Sequence, residues 1–361
     1  MPAAQPPESP RETPAGSPAR PPLRVTDPAA WLAADLAADQ GWIQQLDAGE
    51  IHELDRAVEA VLGRGLGPSL GPGGFGRDDF PLTDLADRIA GWARDLDQGR
   101  GVVLVKGLDP DRYDDDALAA LYWGIAVHLG LPVPQNAAGD LIGHVRDTGR
   151  DYGAKNVRGY TTRAEMKAHC DAADVVGLLC RHPAMQGGES LIASGIAVYN
   201  HLAAERPELI APLLEGFHFD LRGEGVTADP DETTFHRVPV YSWHAGRLSC
   251  RYNGKTIADG MAKRGLPLDG AAMEAVREVG RLAMEPPFRF DMTFEKGDIQ
   301  LLSNHAVLHA RAGFEDWPEP ERQRHLWRLW LNLRDGRALA PAFADRLNTG
   351  PRGGVFVRGT A

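Results

Sequence analysis

The chain has 361 residues, 43% hydrophobic and 25% charged, enough apolar material for a sizeable core and too much for a wholly disordered polymer. Its formal net charge is −11 and no long Lys/Arg run occurs, so neither nucleic acid nor a membrane surface is an expected partner. Three cysteines without a C-x-x-C pair argue against a disulfide framework and a structural zinc site and point to a reducing, cytoplasmic setting; no apolar run reaches the roughly 18 residues of a membrane span.

Residues 1–23 are rich in Pro, Ala, Ser and Arg and lack the apolar stretch of a secretory signal, so a disordered tail is expected there. Residues 24–100 read as a helical segment packed on the core. Ala29–Leu32 opens an amphipathic stretch, and Ile51, Leu54, Ala57, Val58, Val61 and Leu62 form one helical stripe before a Gly-rich loop over 63–76. Val102–Val105, bounded by Gly101 and Gly107, predicts a buried strand. Asp114–Leu129 predicts a helix with acids in its first turn.

From about Leu141 short strands dominate: Val175–Cys180, Ser190–Ala193, Phe217–Leu221, Val238–Trp243, Arg247–Tyr252, Phe288–Phe294, Ile299–Leu302 and His325–Leu333. Gly246 and Lys296-Gly297-Asp298 mark turns. Ile196–Leu214 and Leu268–Met284 read as helical inserts. The fold class is mainly β with flanking helices (α+β). Many short strands with Gly-marked turns favour a sandwich or barrel such as a jelly roll, and the regular alternation of a parallel α/β sheet is absent. Residues 101–345 are expected to form the catalytic domain and 346–361 a C-terminal tail.

His169-Cys170-Asp171 enters a strand. In an extended chain i and i+2 share a face, so the imidazole and carboxylate project together, as two members of a 2-His-1-carboxylate iron triad would. A bare His-x-Asp is common, and a third ligand far downstream is needed. The run Asn304-His305-Ala306-Val307-Leu308-His309-Ala310-Arg311 offers His305 and His309, both on one face if the strand is regular. On the last strand Arg324, Leu326 and Arg328 share a face. Arginines among Leu and Trp near a barrel interior are costly unless they meet anions, and the guanidinium fork matches a carboxylate.

Together these pieces make the stretch from about Gly101 to Asn332 resemble the taurine dioxygenase (TauD/TfdA) family of the clavaminate synthase-like group. The resemblance rests on His169-Cys170-Asp171, on Gly187-Gly188-Glu189-Ser190-Leu191, and on Asn304 to His309 with Arg324 and Arg328. It implies a double-stranded β-helix (jelly-roll, cupin-like) core and an Fe(II)- and 2-oxoglutarate-dependent dioxygenase that uses O2. It implies iron on His169, Asp171 and His309, the far carboxylate of 2-oxoglutarate on Ser190 and Arg324, and an anionic group of the substrate on Arg328. Asn136, Tyr160, Thr162 and Met166 would form a wall or lid beside the substrate, with Arg251 and Tyr252 less direct candidates. Ala310 stands where the family's pattern has glycine. Retention of Asp171 favours hydroxylation over halogenation, and a small amino acid or carboxylate is the expected substrate. Two other classes share such a barrel: an O2-independent metal hydrolase or isomerase, and a catalytically silent small-molecule binding protein. Neither needs a 2-oxoglutarate clamp.

Overall fold

A computed structural model describes residues 20–150 and 159–358; most of the segment expected to be disordered, residues 1–19, lies outside the described residues. The strands, in chain order, are β1 (Ile43–Gln45), β2 (Val102–Lys106), β3 (Gly130–Pro132), β4 (Ile142–Val145), β5 (Met166–His169), β6 (Val175–His182), β7 (Gln186–Gly187), β8 (Ser190–Ser194), β9 (Tyr241–His244), β10 (Arg247–Cys250), β11 (Arg289–Met292), β12 (Ile299–Ser303), β13 (Val307–Arg311), β14 (Phe314–Glu315) and β15 (His325–Leu333). The larger sheet runs β1-β2-β12-β6-β15-β3, with β4 also paired to β15; the smaller runs β11-β8-β13-β5. All these pairs are antiparallel except β1–β2. The architecture is a mixed α+β fold of several antiparallel sheets and flanking helices.

The apolar runs of the larger sheet are continuous because both faces are buried. Val102 and Leu104 of β2, Val176 and Cys180 of β6, and Leu326 and Trp330 of β15 join one hydrophobic cluster together with residues of the smaller sheet. Their neighbours Val103, Val105, Val175, Leu179, Trp327 and Leu329 face the opposite way, into a second cluster under the N-terminal helices. Those helices are Ala48–Gly63, Asp84–Gln98 and Asp115–Leu129. The expected stripe of the first is buried at Leu54, Ala57, Val58 and Val61. Asp47 and Asp114 cap their helices by accepting from the N–H groups of Glu50 and Ala117.

Four elements differ from expectation. Phe217–Leu221 is extended and buried but forms only isolated bridges, because its backbone bonds go to Val238, Thr256 and Glu232 in turn and no continuous ladder can run. The insert at Ile196–Leu214 is divided into Gly195–Glu205, a single 3-10 turn at Pro207 and Ile210–Glu215, since Pro207 has no N–H to continue the ladder. A helix at Gly254–Lys263 has a sparse buried stripe (Ile257, Met261) and a Gly start, which hid it from periodicity. The segment read as a C-terminal tail is docked: Arg346, Leu347, Asn348 and Val355 are buried. Among the described residues no helix is long and apolar enough to cross a membrane, and the three cysteines are free and buried.

Candidate active site

β5 and β13 lie side by side, and their register places His169 directly opposite His309. The two rings stand 4.3 Å apart between centroids. Asp171, two residues past His169, completes the group: its Oδ1 is 3.8 Å from His169 Nε2 and its Oδ2 is 3.8 Å from His309 Nε2. One donor atom from each lies within 4.8 Å of the others, the spacing of a shared cation. The lysine carbonyl of Lys167 accepts from His169 Nδ1 at 2.9 Å, which leaves the Nε2 lone pair facing Asp171. Asp171 is itself oriented: its N–H donates to Asn304 Oδ1 at 2.9 Å, Trp330 Nε1 donates to its Oδ2 at 2.9 Å, and Arg328 Nη1 is 3.5 Å from that oxygen.

The electrostatics suit a divalent cation. Burial pushes both imidazoles down, His309 to about 3 with help from neighbouring His169, so both are neutral at pH 7 with lone pairs available. Burial alone would raise the Asp171 carboxyl, but Arg328, the two histidines and the Trp330 N–H together hold it well below the usual carboxylate range. The donor set is therefore two neutral imidazoles and one ionised carboxylate on one wall of a cavity, which fits Fe(II).

Behind the triad a small cavity of about 50 Å³ opens between the sheets, lined by Val176, Leu178, Ser190, Phe294, Arg324 and Leu326. Arg324 is 4% exposed, lies 5.0 Å from the Phe314 ring, and has an Nη1 with no hydrogen-bond partner. Burial lowers its pKa to about 10, so it remains a cation at neutral pH. Gly188 explains the Gly-Gly motif: it has φ +75°, and a Cβ there would sit 3.0 Å from Arg324 Nε. Ser190 Oγ donates to Gln300 Oε1 at 2.9 Å at the same wall. An uncompensated buried guanidinium beside a hydroxyl fits the far carboxylate of a dicarboxylate such as 2-oxoglutarate.

In front of the triad lies a larger cavity of about 630 Å³. Tyr160, Met166 and Arg328 line both cavities. Arg328 lies 4.7 Å from the Tyr160 ring and 5.0 Å from Trp330, and its Nε donates to Gln135 Oε1 at 2.7 Å. Two expected wall residues are not brought to either cavity. Asn136 closes its own turn, accepting from the N–H groups of Ala138 and Asp140. Thr162 is buried in the turn after Gly159, with its hydroxyl on the Gly159 carbonyl. Arg311, left open between a site partner and a surface ion pair, is 6% exposed and donates to the Thr162 carbonyl.

His305 is not on a regular strand with His309. It sits in the turn between β12 and β13, where its Nε2 lies 2.9 Å from Asp174 Oδ1, away from the triad. Sequence reasoning missed Trp330, Gln135, Gln300 and the link from Asn304 to Asp171. Two of these left a trace: Trp330 is two residues from Arg328 on the same face, and Gln300 is a lone amide in an apolar strand.

Comparison with known proteins agrees with this geometry. The model of the family "Taurine catabolism dioxygenase TauD, TfdA family" matches residues 64–330. The chain is 32% identical over 317 residues to FR-33289 synthase of Streptomyces rubellomurinus, covering 87% of this chain and 91% of that protein. A structure of asparagine oxygenase with Fe(II), hydroxyasparagine and succinate superposes with TM-score 0.62 at 18% identity, over 84% of this chain and 98% of the other. A structure of the non-haem iron oxygenase OrfP with Fe and alpha-ketoglutaric acid gives TM-score 0.56 at 14% identity, over 80% and 93%. The chain belongs to the TauD/TfdA family and is a non-haem Fe(II)- and 2-oxoglutarate-dependent oxygenase.

Proposed function

We propose that the protein hydroxylates an unactivated C–H bond of a small anionic metabolite, an amino acid or a carboxylate. The observation that carries this reading is the sequence of three features through one space: an open cavity, the His169–Asp171–His309 triad, and an inner cavity that ends on the uncompensated Arg324. In this reading the two sheets are the halves of a double-stranded β-helix, residues 101–345 are its domain, and the three triad residues hold Fe(II). Arg324 and Ser190 receive the far carboxylate of 2-oxoglutarate. When bound, iron would activate O2, the oxidant, while 2-oxoglutarate and the C–H bond would each give up two electrons, in the balanced reaction R–H + O2 + 2-oxoglutarate → R–OH + succinate + CO2.

The chain's own residues contribute position. The Lys167 carbonyl and the Trp330 N–H fix one imidazole and the carboxylate before any ligand arrives, so little reorganisation is needed. Arg328, stacked with Tyr160 and Trp330 at the junction of the cavities, borders the substrate's reacting end together with Met166. The asparagine oxygenase that shares the fold is described with a hydroxylated amino acid, which supports that substrate class here. A metal hydrolase or a silent binder would leave Arg324 without a purpose.

The test is anaerobic addition of Fe(II) and 2-oxoglutarate, followed by a screen of amino acids and carboxylates read by succinate release and by gain of one oxygen in the product. A weak visible charge-transfer band is expected in the wild type and is lost in His169→Ala and His309→Ala, each of which removes one of three protein donors. A normal band in His309→Ala, or turnover with Zn(II) and no 2-oxoglutarate, overturns the reading.

A further inference from the structure

Among the described residues six cationic side chains line the outer cavity, and five of them have a carboxylate partner. Lys167 pairs with Glu165 at 2.8 Å, Lys255 with Asp259 at 2.7 Å, Arg281 with Glu278 at 2.6 Å, Arg222 approaches Glu224 at 4.0 Å, and Arg328 approaches Asp171 at 3.5 Å. Arg251 differs. It is 8% exposed, its Nη2 donates to the Arg346 carbonyl at 2.7 Å, its guanidinium lies 4.6 Å from the Phe219 ring, and its Nη1 is buried without a hydrogen-bond partner. Asp345 influences it only from beyond ion-pairing distance. Burial and the positive charge of Arg346 lower its pKa to about 9, so it is still a cation at neutral pH, held at a cost that an anion would offset.

Arg324 has the same combination of deep burial and an orphaned Nη1 at the end of the inner cavity. Arg324 in the inner cavity and Arg251 in the outer one are thus alike: each is a buried guanidinium with no carboxylate within ion-pairing distance among the described residues. We propose that Arg251 receives the anionic group of the prime substrate, a carboxylate or another oxyanion, while Arg328 serves mainly to hold Asp171. The substrate then spans the outer cavity from the triad to the short segment between β10 and the helix Gly254–Lys263, with the Phe219 ring against the guanidinium beside its anionic end. The inference rests on the oxygenase reading, and it relocates the anion contact from the final strand to the β9–β10 hairpin.

The experiment uses anaerobic full-length protein loaded with Fe(II) and saturating 2-oxoglutarate, so that Arg324 is occupied. Sodium sulfate and sodium acetate are titrated against sodium chloride at matched ionic strength, and the thermal midpoint is followed. The charge-transfer band is recorded in every variant as the test of fold and of the oxygenase reading. Wild type is expected to be stabilised by sulfate, acetate or both beyond the chloride control, and the stronger of the two names the geometry of the anion. Arg251→Gln keeps the band and weakens that response at least about tenfold in apparent affinity. Arg251→Lys, which keeps the charge, retains part of it, because an ammonium lacks the planar fork. Arg328→Gln retains the anion response. No oxyanion effect in wild type, an unchanged response in Arg251→Gln or Arg251→Lys, or loss only in Arg328→Gln overturns the proposal. Absence of the band in wild type instead sinks the oxygenase reading on which it rests.

Discussion

Single side chains decide how the triad is held. Asp171 has two oxygens with different surroundings: Oδ2 takes the Trp330 N–H at 2.9 Å and faces Arg328, whereas Oδ1 faces His169 and receives no donor of that kind. Trp330→Phe keeps most of the ring beside Arg328 and removes only the donor. Its expected effect is a loss of about tenfold in Fe(II) affinity, in the range seen when groups that orient metal ligands are removed, with little change in unfolding stability. Anaerobic metal titration measures it, and an unchanged affinity would mean that Arg328 and the backbone bond to Asn304 suffice. This role could have been read from the alternation of β15, since Arg328 and Trp330 share a face. The partner of that face could not, because β15 meets Asp171 from 159 residues away in sequence and local pattern carries no such distance.

Among the elements, strands buried on both faces were the most legible, because their apolar runs end sharply at glycines and charged turns. β15 was expected at its observed bounds, His325–Leu333, and β6, β8 and β12 to within two residues. The turn from β12 to β13 was illegible. Reading Asn304–Arg311 as one regular strand put His305 beside His309, whereas the turn at 304–306 points His305 to Asp174. That carboxylate is 1% exposed and also takes the Leu333 N–H at 3.1 Å and the guanidiniums of Arg346 and Arg352. The Asp174 carbonyl accepts from the Asn304 N–H at 2.8 Å, and the Asn304 side chain accepts from the Asp171 N–H. The C-terminal segment is thereby tied to the metal turn, although its sequence shows no periodicity to announce it. Arg346→Met leaves Asp174 short of one cation in a buried site and is expected to cost about 3 kcal/mol in urea unfolding. The double variant with Asp174→Asn should cost less than the sum of the two singles, because the uncompensated charge is then gone. Additive losses would show that the two side chains do not act as one network.

Across the whole molecule, histidine burial sets the acid limit of the metal-free protein. At the outer edge of the larger sheet, His144 Nδ1 lies 2.9 Å from His325 Nε2, His325 is paired in register with His182, and Arg146 and Arg181 add positive charge nearby. Burial, then His144 and these neighbours, lower His325 to about 3, and burial lowers His144 and His182 as well; Asp115 pulls the latter two the other way without prevailing. In the second buried network, burial lowers His305 to about 4 against the pull of Asp174. Each of these groups binds a proton less readily folded than unfolded, where the pKa is about 6.5. Above about pH 6.5 neither state binds the proton and stability is at its full value. As pH falls from there toward about 4 the unfolded chain takes up protons that the folded chain refuses, so stability declines. Asp171 and Asp174, held below the usual carboxylate range, add their losses only at lower pH, which leaves pH 5–6.5 to the histidines. Urea midpoints of the metal-free protein should therefore fall between pH 7 and 5. His325→Gln should flatten that slope by up to one proton, because glutamine can still bond to His144 and does not titrate. A midpoint that stays level from pH 7 to 5 would mean that the sheet edge opens enough to hydrate the histidines without unfolding. Fe(II) should steepen the decline, since protons then also compete with the metal for His169 and His309.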